Sequence, residues 1–222
     1  MTLADRARTL HHLLRSPGCA AAVAAAVALL SLATPAGAYR IIDVPTGQVL
    51  GVGQLRLEYK RVEDQDRNAY RADVGLPFGI ELQASYSKLG RGEDPSIGAQ
   101  WSFLRGTALT PAVSVGVQDT GLHSRGSTTA YVVAGMEVGG GTPVVRKYLP
   151  HLRVNAGIGT GLLRGVFAGA QLSLSSSLQV YVEHDSRSVN GGVAWSPAPR
   201  VSLKLEEVWG KPAYGVAFNV GL

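Results

Sequence analysis

Glu183, His184 and Asp185 are three adjacent residues whose side chains could bind a metal ion or perform acid–base chemistry. The residues around them alternate between polar and apolar types, which predicts a β-strand. In a strand Glu183 and Asp185 share one face and His184 points to the other, so the three groups cannot converge on one ion. The spacing favours a pair of carboxylates, which could bind a cation, pair with arginines such as Arg56 or Arg71, or be solvated near a loop.

The remaining sequence offers few groups for catalysis or metal binding. Cys19 is the only cysteine and lies in the N-terminal apolar run, so a chain that begins after this run has no thiol for disulfides, metal binding or nucleophilic attack. His123 and His151 lack the spacing of metal ligands. There is no Gly-x-Ser-x-Gly motif, and the glycines between 157 and 161 alternate instead of forming a phosphate-binding loop. We therefore predict no catalytic residue, no metal, no cofactor and no enzymatic activity.

The first 38 residues have the pattern of a secretory signal peptide. Three arginines, at positions 6, 8 and 15, precede an apolar run, Cys19–Leu32, and the sequence Ala36-Gly37-Ala38 fits a cleavage site. The apolar run is about 14 residues long, whereas a membrane-spanning helix needs about 20. We predict that residues 1–38 are removed and that 39–222 form one domain; an uncleaved anchor helix is the alternative.

Charge and composition exclude some classes of function. Of the 21 basic and 16 acidic residues, three basic and one acidic precede position 39, which leaves 18 basic and 15 acidic residues. This nearly balanced charge does not predict nucleic-acid binding, which usually needs a clustered basic face. The 28 glycines and the scarcity of helical periodicity favour an all-β architecture with many tight turns.

The C-terminal stretch has the clearest pattern in the chain. Tyr214, Val216, Phe218, Val220 and Leu222 fall on one face of a predicted strand, and small or amide side chains fall on the other. An apolar face toward lipid and a small, polar face toward a lumen are typical of transmembrane barrel strands. We therefore expect this strand to belong to a barrel in the outer membrane.

About twelve strand candidates follow one another at roughly 14-residue spacing, although ten strands also fit. We predict an antiparallel up-and-down β-barrel of about 10–12 strands, of the outer-membrane type. Between Thr129 and Val138 the apolar face is ambiguous, because Tyr131 and Val133 compete with the residues between them.

The connections alternate between short turns and longer, charged loops, as in outer-membrane barrels. Short turns are expected at 77–79, 105–106, 175–177 and 197–199, and longer loops at 62–67, 90–95, 119–127 and 184–188. The long connection 139–150 falls on the side of the short turns and breaks this alternation.

The strand faces divide the side chains into two groups. We expect Leu55, Val115, Val154 and Phe218 to face lipid. The candidate binding residues facing the lumen are Arg56, Glu58, Lys60, Arg71, Asp73, Glu183 and Asp185.

Aromatic residues lie mostly near predicted strand ends, as in the aromatic girdles of membrane barrels. They are Tyr59, Tyr86, Trp101, Tyr131, Tyr181, Trp195, Trp209 and Tyr214. Ordinary strand propensity also explains this distribution, and carbohydrate stacking on Trp101 or Trp195 is a further alternative.

The C-terminal part resembles barrels of the YjbH-like family, which is linked to exopolysaccharide production at the bacterial outer membrane. The matching residues are Tyr181-Val182-Glu183-His184-Asp185, Val189-Asn190-Gly191-Gly192-Val193 and Tyr214-Gly215-Val216-Ala217-Phe218. The resemblance implies an outer-membrane barrel related to polysaccharide, and it carries no catalytic residue to this chain.

From the residues and the resemblance together we expect a small monomeric barrel with a structural role, or with passive passage or binding of small polar or sugar-like molecules. At this size the lumen should be narrow or plugged. The expected partners are outer-membrane lipid and the barrel-assembly machinery, the latter through the C-terminal strand; no nucleic acid is expected. The alternative is a soluble exported β-sandwich or lipocalin-like binding module, in which the apolar faces would form a core.

Overall fold

The computed structural model describes most of the chain from residue 42 onward. The described ranges are 42–63, 67–89, 92–107, 110–118, 128–138 and 151–221. The predicted signal peptide, the connection 139–150 and the loop 119–127 with His123 lie outside these residues. Among the residues that the structure describes, no helix is long and apolar enough to cross a membrane.

Twelve antiparallel strands form one closed barrel, in which each strand pairs with its neighbours in sequence and the last strand pairs with the first. The strands are β1 (Gln54–Val62), β2 (Arg67–Leu76), β3 (Ile80–Leu89), β4 (Gly92–Leu104), β5 (Ala112–Gln118), β6 (Thr129–Val138), β7 (His151–Gly159), β8 (Gly165–Ser173), β9 (Leu178–His184), β10 (Val189–Ala198), β11 (Val201–Val208) and β12 (Lys211–Gly221). The predicted barrel is confirmed with twelve strands. A β-sandwich is wrong, because a single closed sheet has no second layer.

The two ends of the barrel differ in the connections they carry. At one end, here called the turn end, β1 begins and β12 ends, and the connections that follow β2, β4, β6, β8 and β10 lie there. The opposite end, the loop end, carries the other six connections. This places every predicted short turn at the turn end and every predicted long loop at the loop end, as the sequence indicated.

The predicted lengths of some connections are wrong. Residues 92–95 belong to β4, so the predicted loop 90–95 shrinks to two residues outside the described ranges. Conversely, the predicted turn 105–106 extends from 105 to 111, because β5 begins only at Ala112. At the loop end, β11 and β12 are joined by Trp209 and Gly210 alone, both with positive φ, 53° and 71°. This is the backbone geometry that a two-residue hairpin favours.

Side chains alternate between the barrel interior and its outer wall, apart from register shifts near the turn ends of β4 and β10. On β11, Lys204 and Glu206 are buried inside, whereas Leu203 and Leu205 are exposed on the wall, Leu205 to 71%. Exposed Val154 and Phe218 lie on the same outer wall, and so do Leu55 and Val115, which alternate with buried neighbours. The four predicted wall positions are therefore confirmed, and the barrel has an apolar exterior and a polar interior.

Exposed aromatic side chains form two belts on the outer wall. Tyr59, Tyr70 and Tyr86 form a row toward the loop end, with ring centroids of neighbouring residues 5.1 and 6.3 Å apart. Exposed Trp101 and Trp195 lie toward the turn end. Buried inner-face residues Tyr131 and Tyr181 do not belong to either belt, so the prediction is wrong for these two.

The interior contains a stretch of chain that is not part of the sheet. Residues 42–50, here called the lumen segment, precede β1 and are largely buried inside the barrel. Apolar side chains surround them in two clusters, one with Ile42 and one with Val44. The second cluster includes Tyr131 and Val133, which explains why the apolar face of β6 was ambiguous: its inner face packs against the lumen segment instead of lining water.

Candidate functional site

The first part of the lumen segment is bound by one carboxylate near the loop end. Glu183 accepts hydrogen bonds from the backbone N–H groups of Ile42 (2.8 Å), Asp43 (2.9 Å) and Val44 (3.1 Å). Its side chain is almost fully buried, and Asn190 donates a further hydrogen bond of 3.2 Å to it. Because three consecutive backbone N–H groups donate to this one side chain, Glu183 is the main anchor of this part of the segment.

On the side of Glu183 toward the turn end, the segment packs against an apolar patch of the inner wall. Val44 belongs to one cluster with Tyr131, Val133, Leu163 and Phe167, all of them buried. Tyr131 and Phe167 meet edge to face, with ring centroids 6.4 Å apart. Val44 packs among these buried side chains, as closely packed residues do in protein cores.

The middle of the segment is held through its backbone by neutral polar side chains. The N–H of Gly47 donates to Oδ1 of Asn155 (3.1 Å), and the carbonyl of Gly47 accepts from Ser114 (2.7 Å). The carbonyl of Thr46 accepts from Nε2 of Gln100 (2.7 Å). The segment thus uses amide and hydroxyl groups that would otherwise face water in an open lumen.

Glycines allow the segment to lie directly against the wall. A Cβ atom on Gly47 would be 2.5 Å from the backbone nitrogen of Gly135, and one on Gly75 would be 2.0 Å from the carbonyl oxygen of Gly51. Neither contact is possible for a larger residue without moving backbone. At the turn end of the barrel the N–H of Leu50 donates to Glu81 (2.8 Å), which fixes the segment just before β1.

A cluster of charges occupies another part of the inner wall. Glu58 pairs with Arg56 (2.6 Å) and with Lys204 (2.7 Å), and Lys60 pairs with Glu206 (2.9 Å). These side chains come from β1 and β11, which are not adjacent strands. Buried charges are tolerated only when they are paired. Each charge of this cluster has an opposite charge within salt-bridge distance, and two of the pairs join β1 to β11. Among the residues that the structure describes, however, Nε of Arg56 and Oε2 of Glu206 have no hydrogen-bond partner.

The strand between β1 and β11 is β12, whose inner face is small. Gly215 pairs in register with Lys60 on one side and Lys204 on the other, and Ala217 pairs with Glu58. Because these two residues occupy so little space, long side chains of β1 and β11 can reach each other over them. The small face predicted for the C-terminal strand therefore has a specific role in this charge cluster.

Six of the seven predicted lumen residues lie on the inner faces of strands, and Asp185 lies in the connection after β9; their partners differ from those expected. Arg56 and Arg71 pair with acidic residues of their own strands, Glu58 and Asp73, the latter at 2.7 Å. Of the alternatives for Glu183, an ion pair with these arginines is not formed, because Glu183 accepts backbone N–H groups instead. Within the described ranges, no three His, Cys, Asp or Glu side chains are grouped so that they could hold a metal ion. Binding of a ligand by these residues stays a prediction.

Asp185 organises the β9–β10 connection at the loop end. Its carboxylate accepts from the N–H groups of Ser188 (2.8 Å) and Arg187 (3.0 Å) and from Nε1 of Trp209 (3.0 Å). Burial by itself would raise the pKa of Asp185, but these hydrogen bonds stabilise the carboxylate more strongly, and the net pKa lies below its ordinary value. Asp185 thus ties two loop-end connections together.

The sequence analysis missed the lumen segment and two members of the charge cluster. Residues 42–50 were not predicted to enter the lumen, although Ile42, Val44 and Leu50 give them an apolar content that a solvated stretch does not need. Lys204 and Glu206 could have been recognised from the alternation of β11, which puts both on its inner face. What the sequence could not provide was a partner for either group.

We expect Glu183→Gln to loosen the lumen segment without unfolding the barrel. The amide keeps one acceptor oxygen but replaces the other by an NH2 donor beside the segment's N–H groups, and a buried donor left without an acceptor costs about 1–3 kcal/mol. A Val44→Cys reporter, with Cys19 replaced by Ala, should react with a small thiol reagent at least about tenfold faster in the Gln variant. Glu207→Gln, exposed on the outer face of β11, is the matched control. Equal labelling rates in all three proteins would contradict the anchoring role.

The stability contributed by Asp185 should depend on pH. Its folded-state pKa is depressed, so the contribution is complete above the unfolded-state value of about 4 and is lost as the pH falls through the folded-state pKa. Asp185→Asn should therefore unfold at a lower denaturant concentration than the wild type at pH 7, and the difference should shrink below pH 4. Asp94→Asn, at an exposed site on β4, should follow the wild type throughout. A pH-independent difference would contradict this assignment.

Comparisons with known proteins give matches among solved structures alone. No protein-family model and no curated protein matches the chain, so the resemblance to the YjbH-like family gains no support. A KdgM porin has a TM-score of 0.52 at 8% identity, covering 76% of this chain and 99% of that chain. A KdgM porin in complex with disordered oligogalacturonate has a TM-score of 0.49 at 7% identity, and a NanC porin has a TM-score of 0.45 at 10% identity. Each match covers 76% of this chain and 99% of the other chain. At these identities the likeness to the first porin shows the fold, a porin-like closed β-barrel.

Proposed function

We propose that this protein is a monomeric outer-membrane barrel that allows small, neutral, sugar-like molecules to enter or cross its lumen when the lumen segment is displaced. The apolar outer wall and its two aromatic belts support the membrane placement, since lipid-facing barrel surfaces have this arrangement. The porin-like fold is consistent with it. Insertion would depend on the cell's barrel-assembly machinery acting through β12.

The observation that carries the proposal is how the lumen segment is held. Its backbone N–H and C=O groups bind the side chains of Glu183, Asn155, Gln100, Ser114 and Glu81. Backbone amides and sugar hydroxyls make the same kinds of hydrogen bond to carboxylate, amide and hydroxyl side chains. Once the segment has left, this lining would offer its donors and acceptors to a polyhydroxylated solute.

The charges of the inner wall favour a neutral solute over an acidic one. Basic side chains of the interior are paired with acidic ones in the clusters around Glu58 and Asp73, whereas the acidic Glu81 and Glu183 accept backbone N–H groups. A channel selective for anions would be expected to present a surplus of basic groups. The candidate binding residues Arg56, Lys60 and Arg71 are therefore better described as members of ion pairs that shape the lumen.

A purely structural role is the second candidate. The close contact between Gly47 and Gly135 and the three hydrogen bonds to Glu183 favour a segment that never leaves the lumen. In that case the protein would be a solid barrel that presents its loops at the membrane surface. The two candidates differ in whether the lumen conducts after the segment is removed.

The membrane placement predicts a depth-dependent effect of charge on the outer wall. Val154 lies in the middle of β7, and Val154→Arg should cost about 2–4 kcal/mol of folding free energy in a bilayer. Val189→Arg, on the outer wall at the loop-end start of β10, should cost about 1 kcal/mol or less. Folding into vesicles would be followed by the gel mobility of unboiled samples. Equal folding yields would contradict a lipid-facing wall.

Removing the lumen segment should open the barrel. Chains comprising residues 39–222 and 51–222 would be refolded into planar bilayers, and both would be checked for heat-modifiable mobility. We expect the longer chain to be silent or nearly so, and the shorter one to show conductance steps and uptake of a neutral monosaccharide in vesicle-swelling assays. A shorter chain that folds but stays closed would overturn the transport proposal and favour the structural role.

A further inference from the structure

A groove on the outer wall has the features of a binding site for a single lipid. It encloses about 500 Å³ on β1, β2 and β3, and its apolar lining includes Leu57, Ala72 and Ala84. In register, these three side chains form one row across the strands. The two alanines leave a depression beside the larger side chains of Leu57 and of the three tyrosines that also line the groove. A depression of this shape fits an acyl chain that runs along the strands.

The groove ends toward the loop end at the row of tyrosines. Tyr59, Tyr70 and Tyr86 follow the alanine row at the next outward position of each strand. All three contribute to the lining of the groove. Tyrosine has an apolar ring and a polar tip, which places it at the boundary between acyl chains and headgroups. The depth of this row therefore marks the level at which a bound lipid changes from apolar to polar.

Two basic residues stand just beyond the tyrosines. Arg61 and Lys88 are exposed at the next outward positions of β1 and β3, and Asn68 lies between them on β2. The strands of a sheet are about 4.8 Å apart, so side chains two strands apart can reach one phosphate group. The Tyr59 hydroxyl donates to Oδ1 of Asn68 (2.9 Å), which leaves the Nδ2 group of that amide to donate.

We propose that this groove binds a lipid with a phosphate headgroup, with its acyl chain over the two alanines and its phosphate on Arg61, Asn68 and Lys88. The order of features along the wall, apolar depression, tyrosine row and cation pair, matches the order of parts in such a lipid. An arginine and a lysine bring the opposite charge to a phosphate. The inference rests on the proposed outer-membrane placement, with the loop end at the outer surface.

The test compares lipid retention by purified barrels that have been shown to be folded. Detergent-solubilised full chain would be titrated with diphosphoryl lipid A and followed by native mass spectrometry. We expect Arg61→Gln with Lys88→Gln to weaken binding about tenfold or more, because each cation near a membrane surface contributes to binding of anionic lipid. Lys88 pairs in register with Glu93 of β4, whereas the register partners of Arg61 are Tyr214 and Asn68, which carry no charge. The single variant Arg61→Gln therefore tests the cation that has no acidic partner in register.

Matched variants separate the parts of the site. Arg164→Gln with Arg187→Gln removes two exposed charges at the same end of the barrel but away from the groove, and should bind like the wild type. Ala84→Phe fills the depression and should reduce binding of lipid A with or without its phosphates. Dephosphorylated lipid A should bind wild type as weakly as it binds the double Gln variant, and inorganic phosphate should not compete at equal concentration.

Two results would overturn the inference: equal retention by the wild type and the Arg61/Lys88 variant, or equal retention of both forms of lipid A by the wild type. Either result can occur while the protein still inserts into vesicles and conducts after removal of the lumen segment. Failure of the lipid site is thereby distinguishable from failure of the proposed function. Conversely, failure of the folded barrel to insert into vesicles would contradict the proposed placement in the outer membrane.

Discussion

The interior of the closed barrel has to be filled, and most of the structure follows from how this is done. Closure gives every inner-face side chain a fixed position, and many of these side chains are small or polar, such as Gly135, Ser114 and Gln100. They cannot fill a twelve-stranded lumen by themselves. The lumen segment supplies the missing volume, and its backbone supplies the hydrogen-bonding partners that buried polar side chains require. The segment is thus as much a part of the interior as the strands are.

The interior beside the junction of the first and last strands is filled in a different way. Here the inner face of β12 is small, and the space above it is taken by the charges of β1 and β11, with Glu58 between Arg56 and Lys204. The two strands β1 and β11, which are not adjacent, are thereby linked by their side chains over β12. Truncating one member would leave an unpaired buried charge, which costs more than the pair contributes. The cluster therefore makes closure of the barrel depend on residues that are far apart in sequence.

The architecture could be predicted from the sequence because alternation is a local property. Each strand shows its two faces within ten residues, and Phe218 and Val154 fell on the correct side without any knowledge of their neighbours. The lumen segment could not be predicted in this way, since its hydrogen bonds join residues 31 to 141 positions apart, from Leu50 with Glu81 to Ile42 with Glu183. The same limitation applies to the partners of the charges. The inner-face position of Glu58 followed from periodicity, but its partner Lys204 lies 146 positions further along the chain.

The attachment of the lumen segment limits how the barrel could open. The segment continues through Gly51 and Gly53 into β1, and Gly53 has a positive φ of 73° with its N–H bonded to the carbonyl of Gly75. Because β1 is fixed in the sheet, the turn end of the segment cannot leave, and movement must begin at the end held by Glu183. The apolar contacts of Val44 would break next, and the hydrogen bonds of Gly47 with Asn155 and Ser114 would break after them. A pivot at these glycines would therefore expose the polar lining progressively, from the loop end toward the turn end.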